Sequence, residues 1–86
     1  MYSVKVKKSA AKFIEANKTY GKVIIEVLSL LKVNPRPYGM FDIKKLKGYK
    51  NCYRIRIGKI RIVYQVFERE KVIVVHFIGF REKAYG

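Results

Sequence analysis

Tyr2, Val4 and Val6 alternate with Ser3, Lys5 and Lys7, a period of two that predicts a short, half-buried strand. The period then changes. Ser9 stands where a helix N-cap is expected, and the helix it opens reaches about Asn17, with Phe13 and Ile14 as its main core contacts. Lys18-Thr19-Tyr20-Gly21 reads as a break, with Thr19 positioned to cap a second helix. Tyr20, Val23, Ile24, Val27, Leu28, Leu30 and Leu31 then recur at spacings of three and four, the stripe of an amphipathic helix packed on a core. That helix ends near Val33, because Asn34-Pro35-Arg36-Pro37 cannot continue it. The two helices are expected to form a hairpin lying on a sheet.

The rest of the chain reads as strand and turn. Residues 34–39 form a loop, and Phe41, Ile43 and Leu46 mark an extended segment leading into Lys47-Gly48-Tyr49-Lys50-Asn51. Tyr53, Ile55 and Ile57 alternate with Arg54 and Arg56, and Gly58-Lys59 is a two-residue hairpin turn. A second strand covers 60–67, Glu68-Arg69-Glu70 is a polar turn, and a third strand covers 71–79. Its Val72-Ile73-Val74-Val75 run points to burial on both faces, as for a central strand. The class is therefore α+β: an N-terminal strand, a helical hairpin, then an antiparallel sheet of three or four strands, in β-α-α-β-β-β order. With no repeat, low-complexity segment or linker, residues 1–86 are expected to form a single domain.

The hairpin turn sets a register. If Gly58 and Lys59 alone turn the chain, Ile57 faces Ile60, Arg56 faces Arg61, Ile55 faces Ile62 and Arg54 faces Val63. Side chains alternate along a strand, so Arg54, Arg56 and Arg61 share one face. Ile55, Ile57, Ile60 and Ile62 share the other, which is the seat for the helices. Like charges directly opposite cost a few tenths to ~1 kcal/mol, so Arg56 across from Arg61 calls for an anion. A guanidinium fork pairs with phosphate in bidentate geometry. With a three-residue turn at 68–70, Phe67 would face Lys71 and Arg61 would face Phe77. Arg81 has the parity of Phe77 and would join the same face if the strand ran that far.

Charge sharpens this picture. Lys and Arg number 20 against 6 Asp and Glu, a formal charge of +14. Half the residues are hydrophobic, which makes this a folded basic domain rather than a disordered tail. Self-repulsion on that scale opposes compactness, and polyanions (RNA, DNA, an anionic membrane or an acidic protein) are its natural partners. Seven tyrosines favour nucleic acid, since rings stack on bases while cations meet phosphates. No apolar stretch approaches the ~20 residues of a membrane span, residues 1–8 carry no secretory signal, and the lone Cys52 forms no internal disulfide. The expected compartment is the cytoplasm, with no membrane partner. His76 is the only histidine, and within its apolar strand it reads as a packed residue rather than an acid or base. Cys52, with no histidine nearby in sequence, reads as buried and inert. One His, one Cys and sparse acids make no metal cluster, and Gly48 and Gly58 read as turns rather than a phosphate loop. Neither a metal nor a small-molecule cofactor is expected. Any RNA cleavage would rest on arginine and lysine electrostatics, with tyrosine as a proton carrier.

The run Lys45-Leu46-Lys47-Gly48, then Cys52-Tyr53-Arg54-Ile55-Arg56-Ile57-Gly58-Lys59-Ile60-Arg61-Ile62-Val63-Tyr64-Gln65-Val66, resembles the RelE/ParE toxin superfamily. So does the ending Ile78-Gly79-Phe80-Arg81-Glu82-Lys83-Ala84-Tyr85. In that superfamily a K-L-K/R-G turn leads into a Y-R-I-R-x-G-x-Y/I-R-I-V-Y hairpin, and the close is usually G-H-R-x-x-V/I-Y. The RelE-type resemblance implies the toxin of a type II toxin-antitoxin system, an mRNA interferase. Such a protein is a ribosome-dependent endoribonuclease that inhibits translation by cutting mRNA in the decoding site. The 2′-hydroxyl attacks the adjacent phosphate and leaves a cyclic phosphate.

The same resemblance implies a catalytic set of Arg54, Arg56, Arg61, Arg81 and Tyr85. Arg61 and Arg81 would stabilise the pentavalent phosphate or assist the leaving oxygen. Arg54 and Arg56 would add positive potential and orient the RNA, and Tyr85 would stack on a base or help move a proton. Lys44, Lys45, Lys47, Lys59 and Lys83 are the candidate RNA-binding cations. The implied partners are mRNA on the ribosome, with contacts to ribosomal RNA, and a cognate antitoxin that masks the basic site. Two departures matter. Relatives often carry lysines where this chain has Arg54 and Arg56, and arginine is a poor general base, which leaves Tyr85 or a lysine such as Lys59 for that role. Phe80 stands where many relatives have histidine. The superfamily also offers a ParE-like inhibitor of DNA gyrase, and the arginine changes keep open a non-catalytic RNA-binding relative.

Overall fold

The computed structural model describes residues 1–80 of the chain. Strand β1 (Ser3–Val6) is followed by helices α1 (Lys8–Ala16) and α2 (Lys18–Leu31), then strands β2 (Asp42–Lys45), β3 (Cys52–Ile57), β4 (Ile60–Phe67) and β5 (Val72–Phe80). They build one five-stranded sheet in the order β1-β5-β4-β3-β2. The four later strands are antiparallel, as the alternation predicts, and β1 joins them by pairing parallel to β5. This is the expected α+β architecture.

The helices cover one sheet face only. Along β4, Ile60, Ile62, Tyr64 and Val66 are fully buried against Ile24, Val27, Leu28 and Leu31 of α2, with Ile55, Ile73, Val75 and Ile78 beside them. Complete burial of each such side chain contributes roughly 1.5–3 kcal/mol, and this layer holds the fold. The helix stripe is narrower than its spacing predicts, for Val23 remains 40% exposed.

Two expected caps are displaced. The N-cap of α1 is Lys7, and Ser9 lies inside the helix. Lys7 is the point where strand becomes helix: its N–H donates to Val75 O at 3.0 Å and its carbonyl accepts from Ala11 N–H at 2.9 Å. The ladder and the first helical turn share that residue, so Ser9 has no cap position to fill. Thr19 likewise lies inside α2, because the break falls at Asn17. Asn17 closes α1 with both its backbone N–H (3.0 Å) and its side-chain amide (2.9 Å) on Phe13 O, and its own carbonyl accepts from Gly21 N–H.

The loop after α2 is tied to the helix-facing side of the sheet. Tyr64 donates its hydroxyl to Pro35 O at 2.7 Å, and Arg36 donates from Nε to the Tyr53 hydroxyl at 2.7 Å and pairs with Glu68. The Tyr53 and Tyr64 rings stack at 5.7 Å. Burial pushes the Tyr64 phenol above its usual range, with Tyr53 adding to the effect.

The β3–β4 register is the one the two-residue turn predicts: Ile57 with Ile60, Arg56 with Arg61, Ile55 with Ile62 and Arg54 with Val63. Gly58 takes φ 56, the left-handed geometry such a turn requires. The β4–β5 register is corrected. The turn takes in Lys71, at φ 57, so Phe67 faces Val72 rather than Lys71. The register then shifts between Val63 and Tyr64, leaving His76 as the bulged residue, and Arg61 faces Gly79 rather than Phe77. Two single-residue slips restore the parity, so Phe77 and Gly79 still share the face of Arg61.

Candidate active site

The sheet face away from the helices carries the charge. Three rows cross it, each read from strand pairing. Asp42, Arg56, Arg61 and Gly79 form the first, and Lys44, Arg54, Val63 and Phe77 the second. Cys52 and Gln65 lie in the third, beside Leu46, whose N–H donates to Cys52 O at 2.9 Å. Asp42, Lys44, Arg54, Arg56 and Arg61 together line a depression of about 360 Å³.

Four cations and one carboxylate make this depression strongly electropositive. Asp42 is the internal anion that the Arg56–Arg61 pairing calls for: it meets Arg56 at 2.7 Å and Arg54 at 3.6 Å. Arg54 is only 6% exposed, and a guanidinium taken so far out of water requires a partner. The carboxylate holds both guanidiniums in place and leaves the site a large excess of positive charge. Among the described residues, Asp42 is the contributor that the hairpin pattern misses. The available signal was its position as the single acid between Glu26 and Glu68.

Asp42→Asn should therefore raise affinity for single-stranded RNA, by removing the competing anion, and should steepen its salt dependence. The Asp42–Arg56 pair is partly exposed on both sides and accounts for at most ~1 kcal/mol of stability, and the nearly buried Arg54 loses its counter-charge as well, so the total loss should exceed that figure. Fluorescence anisotropy over a salt series checks this. Unchanged or weaker binding would mean that Asp42 serves only to orient the arginines.

Of the residues singled out from sequence, Arg54, Arg56, Arg61 and Lys44 are brought together. Lys45 pairs with Tyr53 and so falls on the helix-facing side of β2, away from the depression. Lys47 lies in the turn after β2, and Lys59 is exposed in the hairpin turn. Arg81, Lys83 and Tyr85 lie outside the described residues. His76 is half-buried and hydrogen-bonded through Nε2 to Gln65 Oε1 at 2.9 Å. Burial, helped by the Lys7 charge, lowers its pKa, so it is a neutral ring at neutral pH. Cys52 is buried, and burial pushes its thiol up, the opposite of an activated nucleophile. Among the described residues no group of His, Cys, Asp and Glu could hold a metal ion, and no helix is long and apolar enough to cross a membrane. The character of this face is electrostatic: three guanidiniums and an ammonium gathered with one carboxylate on a sheet, a place suited to an anion.

Comparison with known proteins finds relatives of both the sequence and the fold. A family model described as the ParE toxin of the type II toxin-antitoxin system parDE matches residues 1–85. The chain is 47% identical over 60 residues to a Methanocaldococcus jannaschii protein provisionally named toxin RelE1, covering 70% of this chain and 67% of that one. It is 34% identical over 65 residues to the mRNA interferase toxin RelE of Escherichia coli K12, covering 73% of this chain and 60% of the relative. Among solved structures it is similar to a chain of the archaeal RelE–RelB complex from Pyrococcus horikoshii OT3, with TM-score 0.84, 31% identity and coverage of 96% and 98%. A chain of the intact E. coli RelBE toxin-antitoxin complex matches with TM-score 0.79, 26% identity and coverage of 96% and 100%.

Proposed function

The chain belongs to the RelE/ParE toxin superfamily, and on that premise we propose that it is a RelE-type mRNA interferase of a type II toxin-antitoxin system, acting in the cytoplasm on mRNA held by the ribosome. The observation that carries this reading is the depression of Arg54, Arg56, Arg61 and Lys44 on the open sheet face. In the proposed reaction the 2′-hydroxyl of one nucleotide attacks the adjacent phosphorus. Its proton passes to a base, Tyr85 or a lysine such as Lys59. The bond to the 5′-oxygen breaks, that oxygen takes up a proton, and a 2′,3′-cyclic phosphate remains. Arg61 and Arg81 stabilise the negative charge of the pentavalent phosphate, while Arg54, Arg56 and the lysines orient the strand. The cognate antitoxin offsets the cationic surface and keeps the toxin inactive. That relatives of known structure are described in complex with RelB supports such a partner.

Primer extension on a reporter mRNA, in a translation extract and on naked RNA, tests the reading. Cuts that need translating ribosomes and fall at fixed positions within codons are the expected result. The description of the matching family as ParE toxins favours one other reading, inhibition of DNA gyrase. Intact mRNA together with blocked supercoiling by purified gyrase would establish that reading in place of ours.

A further inference from the structure

We propose that Phe77, with the hollow beside it, is a stacking site for a nucleobase of the RNA strand whose phosphate the arginines hold; this rests on the phosphate reading of the arginine depression. Phe77 stands on the sheet face away from the helices, opposite Val63, which in turn lies opposite Arg54. Its ring is laid along the strand over Gly79, where a Cβ would come within 2.5 Å of Phe77 Cζ and 2.9 Å of Cε2. Gly79 is the partner of Arg61. The missing side chain therefore lets an aromatic ring lie beside the arginine row, about one strand spacing (~5 Å) away. That is comparable to the span of a ribose between its phosphate and its base.

A hollow of about 590 Å³ continues from this ring along the sheet, bounded by Leu46, Tyr49, Val63, Gln65 and His76 as well as Phe77. Tyr49 is 65% exposed at its edge. Rings next to a track of cations suit single-stranded nucleic acid, because every base offers a π face. The Gln65 amide at the hollow is already engaged at both ends. Gln65 Oε1 accepts from His76 Nε2 at 2.9 Å, and the Gln65 amide nitrogen donates to Lys50 O at 3.1 Å. Recognition here rests chiefly on stacking, since every base offers a π face.

The test compares a labelled six-nucleotide oligoadenylate with a fully abasic ribose-phosphate chain of the same length, by fluorescence anisotropy. The wild-type protein should prefer the base-bearing strand by roughly 5- to 150-fold, the range that one base–aromatic stack supports. Phe77→Leu should lose most of that preference without changing affinity for the abasic strand, whereas Phe77→Tyr should keep it. Gly79→Ala should lose it too, since the new methyl displaces the ring tip. Full preference in a folded Phe77→Leu protein overturns the stacking site and leaves the phosphate reading intact. Arg56→Ala that binds the abasic strand as well as wild type overturns the phosphate reading and this proposal with it.

Discussion

Arg61→Ala is expected to lower ribosome-dependent mRNA cleavage by about 10²- to 10³-fold, the usual cost of removing one preorganised donor to a developing anion. Arg61 is half-buried on the open face, directly across β3–β4 from Arg56 and across β4–β5 from Gly79. Its backbone is fixed by a tight hairpin, which places the side chain on the arginine face; in the proposed reaction its guanidinium would meet the charge of the pentavalent phosphate. The change removes no helix-facing side chain, so the core layer stays intact and the variant should fold. Arg61→Lys should recover part of the rate, because it restores the charge and not the fork. Single-turnover cleavage on stalled ribosome complexes separates the possibilities. A fall in kcat with KM unchanged marks stabilisation confined to the transition state, and a rise in KM alone marks a binding residue. Undiminished cleavage by the folded variant would remove Arg61 from the catalytic set.

The coplanar arginines were legible because the hairpin needs only local arithmetic. A two-residue turn at Gly58-Lys59 fixes which residues face each other, and alternation does the rest. Asp42 was not legible as part of the site, because its place depends on how β2 pairs with β3 across residues 46–51. No short-turn rule sets that register. The β4–β5 register failed for a related reason. A positive φ at Lys71 and a bulge at His76 each slip the pairing by one residue, and neither non-glycine position advertises itself. The slips cancel in parity, so Phe77 kept its face while changing its partner. The caps at Ser9 and Thr19 were plausible chemistry at positions where the backbone had a simpler solution. A strand running straight into a helix at Lys7, and one Asn17 serving two helices, leave no cap to fill. The parallel pairing of β1 with β5 joins the two ends of the described chain, a contact no local pattern encodes.

Tyr64→Ala should destabilise the fold by about 3–5 kcal/mol, as removal of a large buried aromatic does. Tyr64 is fully buried in the central strand, stacked on Tyr53 and hydrogen-bonded to Pro35 O. The alanine variant leaves a cavity and also frees the loop after α2. Against a total of about 5–15 kcal/mol that is a large fraction, and at 4–8 °C per kcal/mol the melting midpoint should fall by ~12 °C or more. Tyr64→Phe separates the hydroxyl from the ring. It leaves the Pro35 carbonyl unpaired and should cost about 1–3 kcal/mol, with cleavage activity retained because the residue faces away from the arginines. The pH dependence supplies a second signature. Burial raises the folded-state pKa of Tyr64, whereas the unfolded phenol ionises near its ordinary value of ~10. Its contribution is therefore complete below about pH 10 and is lost as pH climbs toward the folded value, since only the unfolded chain gives up that proton. Urea unfolding of wild type and Tyr64→Phe between pH 8 and pH 11 should show the difference in stability shrinking at the alkaline end. A difference that stays constant would mean the phenol reaches solvent and the Pro35 bond is not what anchors the loop.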